Sequence, residues 1–178
     1  MTFGINAQAS FFIENGGWSM SQVKYLTAAE VLHLNETAIA TLGGGNAGVQ
    51  SPRAFDVVIT QPQQIVFGQE MYPTIWLKAA YMMQQIVKTP VFVDGSKRTA
   101  MLVVQTFLTA NGYDPTPDFF EDVRAFTIEV TQTANTEAVM ATIADWLASV
   151  FTERQSKSIK WQVSFELYFS ICHNWHIP

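Results

Sequence analysis

The stretch Val91-Phe92-Val93-Asp94-Gly95-Ser96-Lys97-Arg98-Thr99 gathers most of the residues able to do chemistry. Asp-Gly is a turn dipeptide, and Ser96 is a favourable cap for a helix beginning at Lys97. Lys97 and Arg98 then fall in the first helical turn, where aligned peptide dipoles already place roughly half a positive charge. Cations at that end break a local rule, and an uncompensated break points to function. Backbone N–H groups around Gly95, the positive helix end, and both cationic side chains converge in this reading on one point. Such a point is an anion cradle, and phosphate is the anion that fits it best. Asp94 beside it is placed to hold a magnesium ion bridging phosphate oxygens. The plainer alternative for the same residues is a surface turn with Lys97 and Arg98 solvated.

The elements that must position this turn are helical. Thr27 and Glu30 have capping-box spacing and Leu26 with Val31 sit at staple positions, which predicts a helix from Ala28. Gly43-Gly44-Gly45 should end it. Residues 43–73 mix Gly, Pro, Asn and Gln with short apolar pieces and predict a flap or loop containing one short helix. Within it, Gln61-Pro62-Gln63 reads as extended. Pro73 suits the first turn of the next helix, which runs from Thr74 to Val87 and is apolar nearly all round, as a central bundle helix is. The helix Lys97 to Ala110 is similar, stops at Asn111-Gly112, and pairs with its predecessor as an αα-hairpin through the turn Val91–Ser96. Asp118 with Glu121 suggests a capped helix over 119–132. Val139, Ile143, Trp146 (or Leu147) and Val150 give the helical period for another over 137–151. These segments predict an all-α fold, with an arm at 1–24, one domain at 25–151 and a tail at 152–178. In the tail, Ile159, Trp161, Val163, Phe165, Leu167, Phe169 and Ile171 alternate with polar residues, a strand signature. Its partner edge is either Phe11-Phe12-Ile13 or the 54–67 region within the chain, or else another subunit or a partner protein.

The whole chain sets outer bounds on function. At 178 residues it suits one domain. Hydrophobic residues make up 48 % and charged residues 14 %, too apolar for a disordered chain. A net charge of −5 argues against nucleic acid as a partner. The longest apolar runs fall short of a membrane span, and the first 20 residues carry no Lys or Arg, which argues against a secretory signal. Cys172, the single cysteine, suits a reducing cytoplasm.

Residues 90–99, Pro-Val-Phe-Val-Asp-Gly-Ser-Lys-Arg-Thr, resemble the signature of the Fic/Doc (death-on-curing) family, His-Pro-Phe-x-Asp-Gly-Asn-Lys-Arg-Thr. Leu26 to Gly43 resembles the first helix of Doc proteins, and Gln61-Pro62-Gln63 … Phe67-Gly68 … Tyr72-Pro73 their flap. Lys78-Ala79-Ala80, Phe107-Leu108 and Asn111-Gly112-Tyr113 are similar to the two central helices, and Ala141 to Phe151 to the closing helix. The resemblance implies a helical bundle that transfers AMP or phosphate from ATP, with Mg2+, to a protein hydroxyl. For Doc proteins it implies a threonine of elongation factor Tu as target and a small antitoxin as partner. By position, Asp94 would bind the metal, Gly95 and Ser96 would offer amides to phosphate, and Lys97 and Arg98 would supply charge. Arg98 is the stronger of the two, because its planar fork grips phosphate at two points.

The departures count as much. The family's catalytic histidine falls on Pro90, its proline on Val91 and its asparagine on Ser96. Proline has no titratable group, so the resemblance implies transfer lost or strongly impaired, or a non-catalytic protein-binding module of a toxin–antitoxin locus. His33 reads as a half-exposed helix residue, while His173 and His176 lie in the tail.

Overall fold

The computed structural model describes residues 13–14, 17–18, 22–41 and 43–154. In chain order these residues form β1 (Ile13–Glu14), β2 (Gly17–Trp18), α1 (Ala28–Thr41), α2 (Pro52–Thr60), β3 (Ile65–Val66), β4 (Gln69–Glu70) and α3 (Ile75–Lys88). Then come α4 (Ser96–Ala110), β5 (Tyr113–Pro115), α5 (Pro117–Gln132), α6 (Glu137–Val150) and β6 (Phe151–Glu153). The strands make three separate antiparallel pairs, β1 with β2, β3 with β4 and β5 with β6. The fold is all-α in architecture, as predicted. Among the described residues no helix is long and apolar enough to cross a membrane.

α1 begins as its capping box dictates. The Thr27 N–H and hydroxyl both donate to Glu30 Oε2 at 2.7 Å, and the Glu30 N–H returns a bond to Thr27 Oγ1 at 3.3 Å. These bonds, backbone first, hold the Glu30 carboxyl below its ordinary value of 4.5. α3 and α4 pack against each other at the centre, with α6 on α3 and α1 on α4. Ala79, Ala80, Met83 and Ile86 of α3 meet Ala100, Val103, Phe107 and Leu108 of α4, all buried. Met82 also lies in this core, and Trp76 stands edge-on to Tyr113 with ring centroids 4.7 Å apart.

The far end is closed by aromatic rings. Buried Phe119 meets Phe151 at 4.8 Å and Trp146 at 6.0 Å between centroids. Beyond it β6 runs along β5, with Thr152 opposite Asp114. Arg154 grips the Asp114 carboxylate, donating from Nε to both oxygens at 3.1 and 2.9 Å and from Nη2 to Oδ1 at 2.5 Å.

Local expectations need correction at five places. Pro73 lies outside α3; Thr74 is the cap, accepting from the Leu77 N–H at 3.1 Å, because a hydroxyl can satisfy a free amide and a proline ring cannot. Ser96 does not cap α4 either: it is the first helical residue, and Gly95 holds the cap position. Asp118 sits inside the first turn of α5, after Thr116 as cap and Pro117 at the first position. Gln61–Gln63 forms a 3-10 turn instead of an extended piece, since Pro62 has the φ such a turn needs. Phe151 leaves the helix for β6. The alternating segment 159–171 lies outside the described residues.

Two outcomes test this construction. Phe119→Ala should lower unfolding free energy by about 3–5 kcal/mol in urea titration, the usual cost of emptying an aromatic core site. Because the Glu30 pKa is depressed in the fold, its support of α1 is present above pH 4.5 and is lost as pH falls through the lowered value. Protection of the first-turn amides of α1, measured relative to intrinsic exchange at each pH, should therefore fall on acidification, and Glu30→Gln should remove that dependence.

Candidate functional site

Residues 89–95 link α3 to α4, and the shape of 91–98, from this link into the first turn of α4, is fixed from three sides. From below, Val91 and Phe92 are buried and anchor the segment in the core, with Phe92 edge-on to Phe55 at 5.8 Å. Alongside, residues 48–51 run antiparallel to it: the Val93 N–H donates to Gly48 O and the Gln50 N–H to Val91 O, both at 2.9 Å. Val49 and Phe92 form an isolated β-bridge.

From the third side comes Asn35 of α1, which is completely buried. Its Nδ2 donates at 3.0 Å to the Asp94 carbonyl and to Thr99 Oγ1, while its Oδ1 accepts from the Gly48 N–H at 2.9 Å. One amide thus ties the turn, the first turn of α4 and the neighbouring loop together. Sequence reading passed over it, because an Asn inside a helix carries no pattern signal of its own.

Gly95 adopts a left-handed conformation, φ 76°, and starts α4 by accepting from the Thr99 N–H at 2.8 Å. A Cβ there would lie 2.8 Å from Ile39 Cδ1, so packing and backbone both favour glycine. The half-exposed Asp94 carboxylate accepts from the Gly95 N–H through Oδ1 at 2.6 Å. Arg98 Nη2 lies 3.7 Å from the same oxygen and donates to the Gly44 carbonyl at 3.4 Å. Asp94, Gly95 and Arg98 therefore share one small volume.

The Gly43–Gly45 loop forms a wall of that volume. A Cβ on Gly45 would overlap Asp94 Oδ2, and one on Gly43 would lie 3.2 Å from Arg98 Nη1. In the glycine triplet, legible in sequence only as a helix stop, Gly43 and Gly45 face the site side chains, while all three residues have positive φ. A single glycine suffices to end a helix, and the surplus was the available signal.

The two cations do not converge. Successive helical residues point about 100° apart; Arg98 turns back toward Asp94 and the glycine loop, whereas Lys97 is exposed. Ser96 is half-buried at the helix start. Pro90 is exposed and stands in a tight turn in which the Val91 N–H donates to Thr89 O at 2.8 Å. The Thr89 hydroxyl is engaged with Gln85 O at 2.7 Å. His33 is 76 % exposed on α1, beside Glu36 at 3.6 Å. His173 and His176 lie outside the described residues.

Two comparisons bear on this arrangement. Residues 25–108 match the Fic/DOC family. Over 99 residues the chain is 36 % identical to Toxin Doc of Mycolicibacterium smegmatis, spanning 56 % of this chain and 73 % of that protein. The chain belongs to the Fic/DOC family. The family match spans α1 to α4, and so includes the whole of the turn, the glycine wall and Asn35.

Asn35→Ala should leave the Thr99 hydroxyl and the Gly48 N–H without their partner inside the protein. Each such group costs about 1–3 kcal/mol, so urea unfolding should show a loss in at least that range, and a change near zero would deny Asn35 its bracing role.

Proposed function

We propose that this protein is a Doc-like toxin-family member that retains a phosphate-holding turn and has lost the base that activates the acceptor hydroxyl. The observation that carries the reading is Pro90, standing where the family signature has histidine, directly ahead of a turn whose bracing is complete. A positioned general base contributes about 10²–10⁴ in rate. Proline offers no acceptor for a proton, the Thr89 hydroxyl is engaged in the helix end, and His33 faces solvent on α1 beside Glu36.

Phosphate binding is the better-supported half of the family's chemistry here. Arg98 supplies a planar cation 11 % exposed, and the amides at the start of α4 supply donors along the helix axis. Lys97 adds long-range attraction from the surface. Among the described residues no three or more His, Cys, Asp or Glu side chains gather as a metal cage, and that suits Mg2+, which takes one or two carboxylates and completes its shell with phosphate oxygens and water. Asp94 is the carboxylate in place, and the ion would neutralise charge on the phosphates of ATP. A small antitoxin and a hydroxyl-bearing protein such as elongation factor Tu are the partners this reading implies.

A second reading is a protein-binding module without transfer. It is favoured by the hairpin between α2 and α3, whose tip residue Phe67 is fully exposed.

Calorimetry with Mg-ATP and transfer of label from radioactive ATP separate the two. The first reading expects Mg-ATP binding that Asp94→Ala and Arg98→Ala each weaken at least tenfold, with at most trace transfer to protein. Pro90→His, alone or with Ser96→Asn, should raise transfer by about 10²–10⁴. Robust transfer by the natural sequence that Pro90→His does not increase would overturn it. A stable partner complex with no nucleotide binding in any variant would favour the second.

A further inference from the structure

Lys78 lies on the central helix α3 and is 2 % exposed, a burial that lysine almost never reaches without a partner. Neither the turn at 91–98 nor any packing need of α3 accounts for a charge at that position. Its surroundings do. The ammonium donates to the Pro62 carbonyl at 3.2 Å and to Glu70 Oε2 at 2.8 Å, and it sits 5.8 Å from the centroid of the Tyr25 ring. Glu70 belongs to β4, and Pro62 to the turn just ahead of β3.

The hairpin these contacts reach has little else to hold it. Every residue from Gln63 to Met71 is exposed, between buried Pro62 and buried Tyr72. Its strands are two residues each, and an isolated pair of that size is marginal in water. Its tip, Phe67 and Gly68, has positive φ at both residues, 51° and 79°, which suits a primed two-residue loop. No apolar side chain of Ile65, Val66 or Phe67 is withdrawn into the core. The base is joined by the Met71 N–H to Gln64 O at 3.0 Å and by Gln61, which accepts from the Tyr81 hydroxyl at 2.5 Å and donates to Tyr72 Oη at 3.0 Å. Beyond these base contacts, Glu70 gives the strands a charged anchor to the core.

We propose that Lys78 is a positioning residue, whose buried ammonium latches the 63–71 hairpin to α3 through Glu70 and so sets the pose of its exposed apolar tip. A latch of this kind joins a rigid element to one without a core of its own. It is specific in direction, because an ion pair fixes one carboxylate at one place where an apolar contact would allow sliding. Its partners, Glu70, Pro62 and Tyr25, are distinct from the groups seen against Asp94 and Arg98, namely Asn35, Gly44, Gly45 and the Gly95 amide. The proposal takes from the preceding reading only that the hairpin faces a protein partner.

Hydrogen exchange of the full chain tests it in the natural sequence, Glu70→Gln and Lys78→Met, with Mg-ATP calorimetry alongside. Glu70→Gln should speed exchange of the 64–71 amides about tenfold while residues 79–86 of α3 keep their protection. Lys78→Met, which replaces the buried charge by a chain of similar length, should do the same. Raising salt from 0.05 to about 1 M should loosen the hairpin only slightly in the natural sequence, because the ammonium end of the pair is buried and poorly screened, and should leave Glu70→Gln unmoved. Mg-ATP affinity should stay within twofold.

Unchanged exchange at 64–71 in Glu70→Gln would overturn the latch, as would loosening spread through α3 or a large fall in Mg-ATP affinity. Should Lys78→Met fail to fold, the Glu70→Gln arm still decides. Absence of Mg-ATP binding in the natural sequence would count against the phosphate-holding turn, with the exchange result standing apart from it.

Discussion

A single buried amide governs the site. Asn35 is the point at which α1, the loop before α2 and the head of α4 meet, and it satisfies a carbonyl, a hydroxyl and an N–H at once. The bond to the Thr99 hydroxyl is buried and the other two are partly so, and an unmet hydrogen bond away from water is expensive. The left-handed turn at Gly95, the antiparallel run of residues 48–51 and the first turn of α4 therefore stand or fall together. An apolar side chain could fill the same space, yet it could not fix the relative heights of three backbone segments.

Around that joint the chain separates two tasks. Apolar contact between α3 and α4 gives the bundle its stability, while polar groups set the two features that project from it, the turn at 94–98 and the hairpin at 63–71. Both are held by side chains reaching out from rigid helices, Asn35 from α1 and Lys78 from α3. This division explains how a member can differ from the signature at Pro90, Val91 and Ser96 and keep the shape of the turn. Pro90 occupies the linker between two packed helices, exposed and apart from both anchors.

Much of the bundle was legible because it is local. The Thr27–Glu30 box, the apolar runs of α3 and α4 and the Asn111-Gly112 stop are each set by residues within a few positions of one another. What escaped depends on distance along the chain. β5 pairs with β6 through three residues on each side, too few for a pattern. Asn35 and Lys78 look, in sequence, like an ordinary polar residue on a helix and a stray cation on an apolar one. A hydroxyl such as Ser96 is the usual cap, whereas the chain puts Gly95 there, where a positive φ and the close approach of Ile39 favour glycine. Lys97 and Arg98 were grouped by adjacency, and helical geometry sends neighbours to different faces.

The approach of Gly45 to Asp94 has a thermodynamic side. A carboxylate on an open turn samples several rotamers, and a ligand must freeze it, at a cost in entropy. Here the backbone of the glycine loop, the Gly95 amide and the Arg98 guanidinium bound the Asp94 side chain on several sides at once. Part of its freedom is surrendered during folding, so on the proposed reading a cation there would meet a carboxylate already standing in formation.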